Sequence, residues 1–148
     1  MDSWLILRGI KTLPIRMEKA QENAKAIVDY LRSEPGVKKV YYPGIEGSTG
    51  YEICKSQARG FGSMLTFEVE SRELALHILK HTRLIPFAES LGGVETLLTY
   101  PMTQTHADVP EAVRLANGIN DRVLRLSAGI EDKEDLIADL RQAIHSFA

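Results

Sequence analysis

The most chemically suggestive residue of this 148-residue chain is Arg125, an arginine in a predicted strand. The run from Val123 to Ala128 predicts a strand, whose alternation places Leu124 and Leu126 on the core face. Arg125 and Ser127 then share the opposite face. A guanidinium on a rigid strand suits a carboxylate, because its fork of donors matches the two carboxylate oxygens and lysine cannot copy this. An ordinary solvated arginine gives the same pattern, so the strand alone leaves both interpretations open.

The second chemically suggestive stretch is AESLGG, residues 88–93, which follows the apolar run Leu84–Phe87. The Ser90 hydroxyl and the backbone amides around Leu91 could donate to the same anion as Arg125, since the two glycines permit a close approach of the backbone. A simple turn at the end of a strand explains these residues equally well. The pattern does not show whether Ser90 and Arg125 meet in space.

Metal chemistry is not predicted. Cys54 is the only cysteine, which excludes an internal disulfide and any site built from several cysteines. His77 and His81 stand four residues apart on one predicted helix face, a spacing that could hold a metal ion. They lack an acidic third ligand and the glutamate of a metalloprotease motif. We interpret them as ordinary surface or packing residues.

The bulk composition excludes several classes of partner. The formal net charge is −2, with acids and bases interleaved and no basic stripe, so nucleic acid and anionic membranes are poor candidates. No stretch approaches the length of a membrane span, and the short apolar run near the N-terminus does not fit a signal peptide. These features predict a cytoplasmic protein. The abrupt start, with Met1-Asp2-Ser3 leading straight into an apolar helix, is typical of a chain from which an upstream part has been removed.

The elements that position these residues form a predicted α+β domain, with a small, mostly antiparallel sheet, helices over one face and a long N-terminal helix. The periodicity predicts a short helix to about Leu7, a second helix from Pro14 to Ser33 and three later helices at residues 51–59, 72–81 and 110–117. A last helix begins after its cap, Asp132. Strands are predicted at residues 37–42, 63–70, 84–87, 95–100 and 123–128. Predicted buried stripes run along the second helix (Met17, Ala20, Ala24, Ile27, Val28 and Leu31) and along the last (Leu136, Ile137, Leu140, Ile144 and Phe147).

The first helix is unusual because Trp4, Leu5, Ile6 and Leu7 are apolar around its whole circumference. One domain of this size can cover them only by tucking them under its sheet. We favour the alternative that they pack against a missing domain or a partner chain.

Ordered motifs along nearly the whole chain resemble the C-terminal domain of the pyridoxal-phosphate enzymes of cysteine and methionine metabolism, the family of the cystathionine γ-synthases, γ-lyases and β-lyases and the methionine γ-lyases. The resemblance is specific because many motifs occur in the same order. They are Trp4 to Leu13 with Arg16-Met17, Asn23-Ala24, Val40 to Gly44, Gly60 to Met64, Ala88 to Leu97, Thr105-His106, Leu124 to Asp132, Asp135 to Ile137 and Asp139-Leu140.

The resemblance implies roles for individual residues. Arg125 matches the arginine that binds the α-carboxylate of the substrate. Ser90 and the Leu91 backbone match the segment beside the cofactor and near the same carboxylate, and Thr105 matches a residue close to the site. Glu89 matches an acid found in enzymes similar to cystathionine γ-synthase and γ-lyase. It would favour substrates with a distal ammonium group, such as cystathionine, although a surface acid before a turn is the alternative.

The resemblance also implies what residues 1–148 lack. The Schiff-base lysine in its Ser-x-Thr-Lys setting, the phosphate-binding loop, the pyridine-stacking tyrosine and the ring-nitrogen aspartate match nothing in this chain. We therefore expect a single C-terminal domain whose N-terminal cofactor-binding domain is absent, and no catalysis by the isolated chain. The parent would be a homotetramer that uses pyridoxal 5'-phosphate to process a sulfur amino acid or an O-activated homoserine. The alternative is a non-catalytic α+β binding or interaction module that retains the fold.

Overall fold

The structure, a computed structural model, describes residues 1–147 and confirms the predicted α+β class. The helices within these residues are α1 (Asp2–Ile10), α2 (Leu13–Ser33), α3 (Tyr51–Gln57), α4 (Arg72–His81), α5 (Glu111–Ala116) and α6 (Lys133–His145). The strands are β1 (Val37–Tyr41), β2 (Met64–Val69), β3 (Leu97–Thr99) and β4 (Val123–Ser127). Their order in the sheet is β1-β2-β4-β3, and each neighbouring pair is antiparallel.

The alternation of the strands gives the sheet one apolar face. Leu65 of β2 pairs with Leu126 of β4, and Phe67 pairs with Leu124. All four side chains are buried within the core. Full burial of such a side chain stabilises the fold by about 1.5–3 kcal/mol, so this face supplies much of the driving force for folding.

Helices α2, α4 and α6 cover that apolar face, and α6 contacts both α2 and α4. Their most deeply buried apolar residues are Ala24, Ile27 and Leu31 of α2, Ala75 and Ile78 of α4, and Leu136, Leu140 and Ala143 of α6. The predicted stripes are wrong at two of their ends, because Met17 is 43% exposed and Phe147 is 40% exposed. The predicted cap of the last helix is confirmed, because Asp132 Oδ1 accepts the Glu134 amide at 2.9 Å. Ser71 caps α4 in the same way, since its Oγ accepts the Leu74 amide at 3.1 Å.

A side-chain hydrogen bond holds the corner between α1 and α2. Arg16 donates from Nη2 to the Gly9 carbonyl at 2.8 Å, and Pro14 stands in the first turn of α2, where its missing amide costs nothing. Helix α1 extends three residues beyond its predicted end and has no buried residue. Trp4 is 59% exposed and Leu7 63% exposed, so within the described chain this apolar helix is not tucked under the sheet.

Two predicted strands are corrected. Residues 84–87 form only a single bridge, between Phe87 and Leu98, because the amides of residues 83–85 donate to the Asp139 carboxylate instead of to a neighbouring strand. The strand predicted at residues 95–100 shortens to β3. The Thr96 amide donates to Glu131 and the Tyr100 amide to Gln104, so side chains take the hydrogen bonds that would have extended it.

Candidate functional site

The face of the sheet that the helices leave open carries a row of polar residues. Tyr41 of β1 pairs with Thr66 of β2, Thr66 pairs with Arg125 of β4, and Arg125 pairs with Thr99 of β3. Since directly paired residues project to the same face, the four lie side by side across all four strands. Arg125 is therefore held on the rigid open face, as the alternation of its strand predicts.

The guanidinium of Arg125 is only partly satisfied by the protein. Its Nη2 donates to Thr99 Oγ1 at 3.3 Å, the one hydrogen bond from this side chain among residues 1–147. Its Nε is buried and has no partner within the same residues. A buried donor without a partner is destabilising. Arg125 is thus prepared for an acceptor, and a carboxylate matches its fork best.

A cavity of about 670 Å³ lies beside Arg125 on the β1 side of the open face. Tyr41, Thr66 and Met64 form its floor with Arg125, and the loop at residues 42–49 forms its side. Tyr42 stabilises this loop region, because its hydroxyl donates to the Gly62 carbonyl at 2.8 Å. Burial raises the pKa of Tyr42 to about 12, so the phenol keeps its proton and remains a donor at neutral pH.

The segment AESLGG lies against the other side of Arg125. Thr99 Oγ1 donates to the Ala88 carbonyl at 2.9 Å, and the Gly92 amide donates to Ser127 Oγ at 3.0 Å. Gly92 has a φ of +74°, a left-handed conformation that suits glycine. Thr99 and Ser127 flank Arg125 on the same face, so the structure brings Arg125 and residues 88–93 together.

Three of the predicted site residues lie on that segment, where their side chains are accessible to a ligand. Glu89, Ser90 and Leu91 are all exposed, and no side-chain hydrogen bond within residues 1–147 occupies Glu89 or Ser90. Thr105 is placed differently. It lies half-buried in the turns at residues 101–109, where its hydroxyl and Nδ1 of His106 share a hydrogen bond of 2.8 Å. No hydrogen bond in the described part of the chain joins Thr105 to Arg125 or to residues 88–93.

Several residues that shape the site carry no site role in the sequence prediction: Thr99, Ser127, Glu131 and Asp139. Thr99 and Ser127 are buried hydroxyls that touch Arg125 or its neighbouring segment. A signal existed for Asp139, since it interrupts the apolar stripe of α6 next to Leu140. A carboxylate that is buried must be compensated by hydrogen bonds, which marks it as a structural anchor.

No cluster of three or more histidine, cysteine, aspartate or glutamate side chains suited to a metal occurs in residues 1–147. His77 and His81 stack at 3.7 Å, and the Phe147 ring packs edge-on against His77, as expected of packing residues. Lys39 is the one lysine that lines the cavity beside Arg125, and its ammonium lies 4.6 Å over the Tyr41 ring. The open face beside Arg125 therefore fits a carboxylate.

No helix within residues 1–147 is both long and apolar enough to cross a membrane.

The sequence model of the family described as Cys/Met metabolism PLP-dependent enzyme, where PLP is pyridoxal phosphate, matches residues 1–145. The chain belongs to this family. It is 49% identical over 146 residues to the cystathionine gamma-synthase of Escherichia coli (strain K12), an alignment that covers 98% of this chain and 38% of the relative. It is 46% identical over 146 residues to the cystathionine gamma-lyase of Bacillus subtilis (strain 168), covering 99% of this chain and 38% of that relative.

A solved structure agrees with these sequence relatives. The crystal structure of cystathionine gamma synthase from Xanthomonas oryzae pv. oryzae in complex with cystathionine superposes with a TM-score of 0.92 at 43% identity, covering 97% of this chain and 38% of the other. The fold is therefore shared closely with that of this cystathionine gamma synthase. The chain spans only 38% of the length of these relatives.

Proposed function

We propose that this chain is the C-terminal, substrate-carboxylate-binding domain of a PLP-dependent trans-sulfuration enzyme of the cystathionine γ-synthase, γ-lyase or β-lyase type. The observation that carries the proposal is the Arg125 guanidinium on the open face, with its Nε unpartnered among the described residues and the exposed segment 88–93 beside it. The relatives named above act in sulfur amino acid chemistry, and their substrates carry the α-carboxylate that Arg125 suits.

In this proposal Arg125 binds the α-carboxylate through two parallel hydrogen bonds, each of about 1.5–3 kcal/mol because donor and acceptor are charged. The sheet holds the guanidinium in place, so the substrate is oriented as it binds. The Ser90 hydroxyl and the Leu91 backbone contribute to the same end of the substrate. Thr105 is kept in this set only because of the resemblance to the family, since no hydrogen bond among residues 1–147 ties it to Arg125.

Glu89 would select the distal end of the substrate. Its carboxylate is exposed on the segment that adjoins Arg125 and has no partner among the described side chains. A distal ammonium group, such as that of cystathionine, would pair with it, whereas a substrate with an apolar distal end would not. This assigns Glu89 to specificity rather than to the chemistry of bond cleavage.

The cofactor would be held elsewhere in the full-length enzyme. We assign the Schiff-base lysine and the phosphate-binding groups to an N-terminal domain, because the family motifs that carry them match nothing in residues 1–148. Bound PLP supplies the electron sink for elimination or replacement at Cβ or Cγ. The part played by this chain is to bind and orient the substrate, and the chain alone is expected to bind PLP poorly and to catalyse nothing.

The exposed apolar helix α1 supports a further domain or subunit as its neighbour. Trp4, Ile6 and Leu7 are each more than half exposed, and all lie on one helix whose main neighbour within the described chain is α2. Such a surface is typical of an interface. We assign it to contact with the N-terminal domain of a homotetrameric parent.

The coding sequence upstream of Met1 and one assay test this proposal together. That sequence should encode a Ser-x-Thr-Lys motif some tens of residues before Trp4, and the full-length protein should show the absorbance of bound PLP and process cystathionine or an O-activated homoserine. The 148-residue chain should show neither property. A full-length protein that has no such lysine and converts no sulfur amino acid would point instead to a non-catalytic module. A stable PLP absorbance in the isolated chain, lost on mutation of one of its lysines, would contradict its expected inactivity.

A further inference from the structure

The segment that exposes Glu89 and Ser90 is fixed where the chain enters it. The Asp139 carboxylate of α6 is buried and accepts three successive backbone amides: Arg83 at 2.8 Å, Leu84 at 2.8 Å and Ile85 at 2.9 Å. Hydrogen bonds to a charged acceptor are roughly twice as strong as neutral ones. This end of the segment is therefore attached to a helix of the core, only three residues before Ala88.

A second carboxylate fixes the segment where the chain leaves it. Glu131 accepts the Thr96 amide at 2.6 Å and the Thr96 hydroxyl at 2.7 Å, and that hydroxyl accepts the Gly129 amide at 2.8 Å. The Ile130 amide also donates to the Val94 carbonyl at 2.9 Å. The amide and hydroxyl protons of Thr96 and the two carboxylate oxygens of Glu131 thus all take part in one hydrogen-bond network.

The turn that carries Glu131 is itself held by α2. Asn23 is fully buried, and its Nδ2 donates to the carbonyls of Gly129 at 3.0 Å and of Glu131 at 2.8 Å. Gly129 allows the two backbones to touch, since a Cβ there would lie 2.2 Å from the Val94 carbonyl oxygen. The exit of the segment is therefore anchored to the core through two layers of hydrogen bonds.

These anchors also fix the distance from the segment to Arg125. Strand β4 carries Arg125 and ends at Ser127, which accepts the Gly92 amide, and it continues directly into the turn that holds Val94 and Thr96. A rigid strand thus joins the guanidinium to one end of the segment. The guanidinium and the segment can contact the two ends of one substrate only while their separation is kept, so this attachment has a direct consequence for substrate binding.

We propose that Glu131 is a positioning residue: with Asp139 anchoring the entry of residues 83–96, it holds their exit so that Glu89 and Ser90 stay in register with Arg125. The inference rests on the proposed function, because the register matters only where Arg125 and Glu89 bind one substrate. Neither carboxylate touches the substrate in this account. Their effect is exerted through the backbone of the segment, and it should appear in substrate binding rather than in the chemical step.

The most direct test compares Glu131→Gln, Thr96→Val and Thr96→Ser in the full-length enzyme, with Glu52→Gln as a matched exchange at an exposed glutamate of α3. The carboxamide of Glu131→Gln keeps the shape but turns a donor toward a donor, and Thr96→Val removes the hydroxyl. We expect either change to raise the KM for cystathionine about tenfold while kcat stays within about twofold. Thr96→Ser keeps the hydroxyl and should retain the original KM, as should Glu52→Gln.

Amide hydrogen exchange in the 148-residue chain gives a readout that does not depend on the proposed function. Glu131→Gln should accelerate exchange at the Thr96 and Gly129 amides at least about tenfold and leave the buried Phe67 amide unchanged. Unchanged exchange at these two amides would overturn the anchoring, and faster exchange with an unchanged KM would overturn the positioning role. If the Phe67 amide also exchanges faster, Glu131→Gln destabilises the fold as a whole. In that case the KM values of Thr96→Val and Thr96→Ser decide whether the Thr96 hydroxyl holds the segment in position. A full-length protein inactive on all sulfur amino acids refutes the proposed function, while the exchange data still decide the anchoring.

Discussion

On the helix-covered face of the sheet, Leu65 and Phe67 of β2 are buried and pair with Leu126 and Leu124 of β4, which are buried as well. On the open face of the same two strands, Thr66 and Arg125 face a cavity, and the Arg125 Nε has no partner within residues 1–147. The residues alternate along one backbone, so a single pair of strands serves two purposes. One face stabilises the fold, and the other offers a donor to a ligand.

The contrast between the two faces is tested most strongly by truncating one side chain on each face and comparing the free energies of unfolding. Phe67→Ala should lower the free energy of unfolding by about 3–5 kcal/mol, because it removes a fully buried ring and leaves a cavity. Thr66→Ala, its neighbour on the open face, should change that free energy by less than about 0.5 kcal/mol. Denaturant unfolding of both variants measures the difference. Equal losses would mean that the open face is as much a part of the core as the covered face.

Glu89→Val tests whether the residue beside the open face selects the substrate. In the full-length enzyme this change removes the charge proposed to pair with a distal ammonium group, so kcat/KM for cystathionine should fall about ten- to a hundredfold. An O-activated homoserine, which has no distal ammonium group, should react at an almost unchanged rate. The free energy of unfolding should also stay the same, because Glu89 is exposed. An equal fall for both substrates would remove Glu89 from specificity.

The covered face depends on well-formed helices, which Ser71 tests at a smaller scale. Its hydroxyl accepts the Leu74 amide at the start of α4, so Ser71→Ala should cost about 1 kcal/mol of stability. Ser56→Ala is a suitable control, since the Ser56 hydroxyl donates to the Ile53 carbonyl inside α3 and caps no helix start. Thermal unfolding should rank Ser71→Ala as the less stable of the two. The opposite rank would contradict the cap.

The smallest expected effect is a pH dependence at His77. Burial, together with the neighbouring His81, lowers the pKa of His77 below its usual value of 6.5. The unfolded chain therefore binds this proton more readily than the folded chain. The contribution of His77 to stability is complete above pH 6.5 and is lost as the pH falls through the lowered pKa. Denaturant unfolding between pH 7.5 and 5 should show a shallower decline for His77→Gln than for the unchanged chain, and identical declines would refute the assignment.

The covered face was predictable in detail and the open face only in part. The alternation of Leu65, Phe67 and Val69 predicts their burial because apolar side chains must leave water together. The same alternation places Arg125 on the open face, yet it carries no information about residue 88, which reaches Arg125 through Thr99. Contacts of this kind depend on the strand order β1-β2-β4-β3, which local periodicity does not encode.

The mistaken strand at residues 84–87 has the same origin. Its apolar residues fit a strand, and the structure buries Ile85 as expected. The backbone amides of residues 83–85 donate to the Asp139 carboxylate, which lies more than fifty residues further along the chain. A side-chain carboxylate can thus replace a strand as the acceptor of backbone amides, and only the fold reveals which of the two is present.

Arg125→Lys in the full-length enzyme tests the central claim most directly. Lysine keeps the positive charge but loses the fork of donors, so the KM for cystathionine should rise strongly, by about ten- to a hundredfold. The free energy of unfolding should change little, since Arg125 makes a single hydrogen bond of 3.3 Å to the described protein. A raised KM with unchanged stability is the predicted result. An unchanged KM would contradict the assignment of Arg125 to the substrate carboxylate.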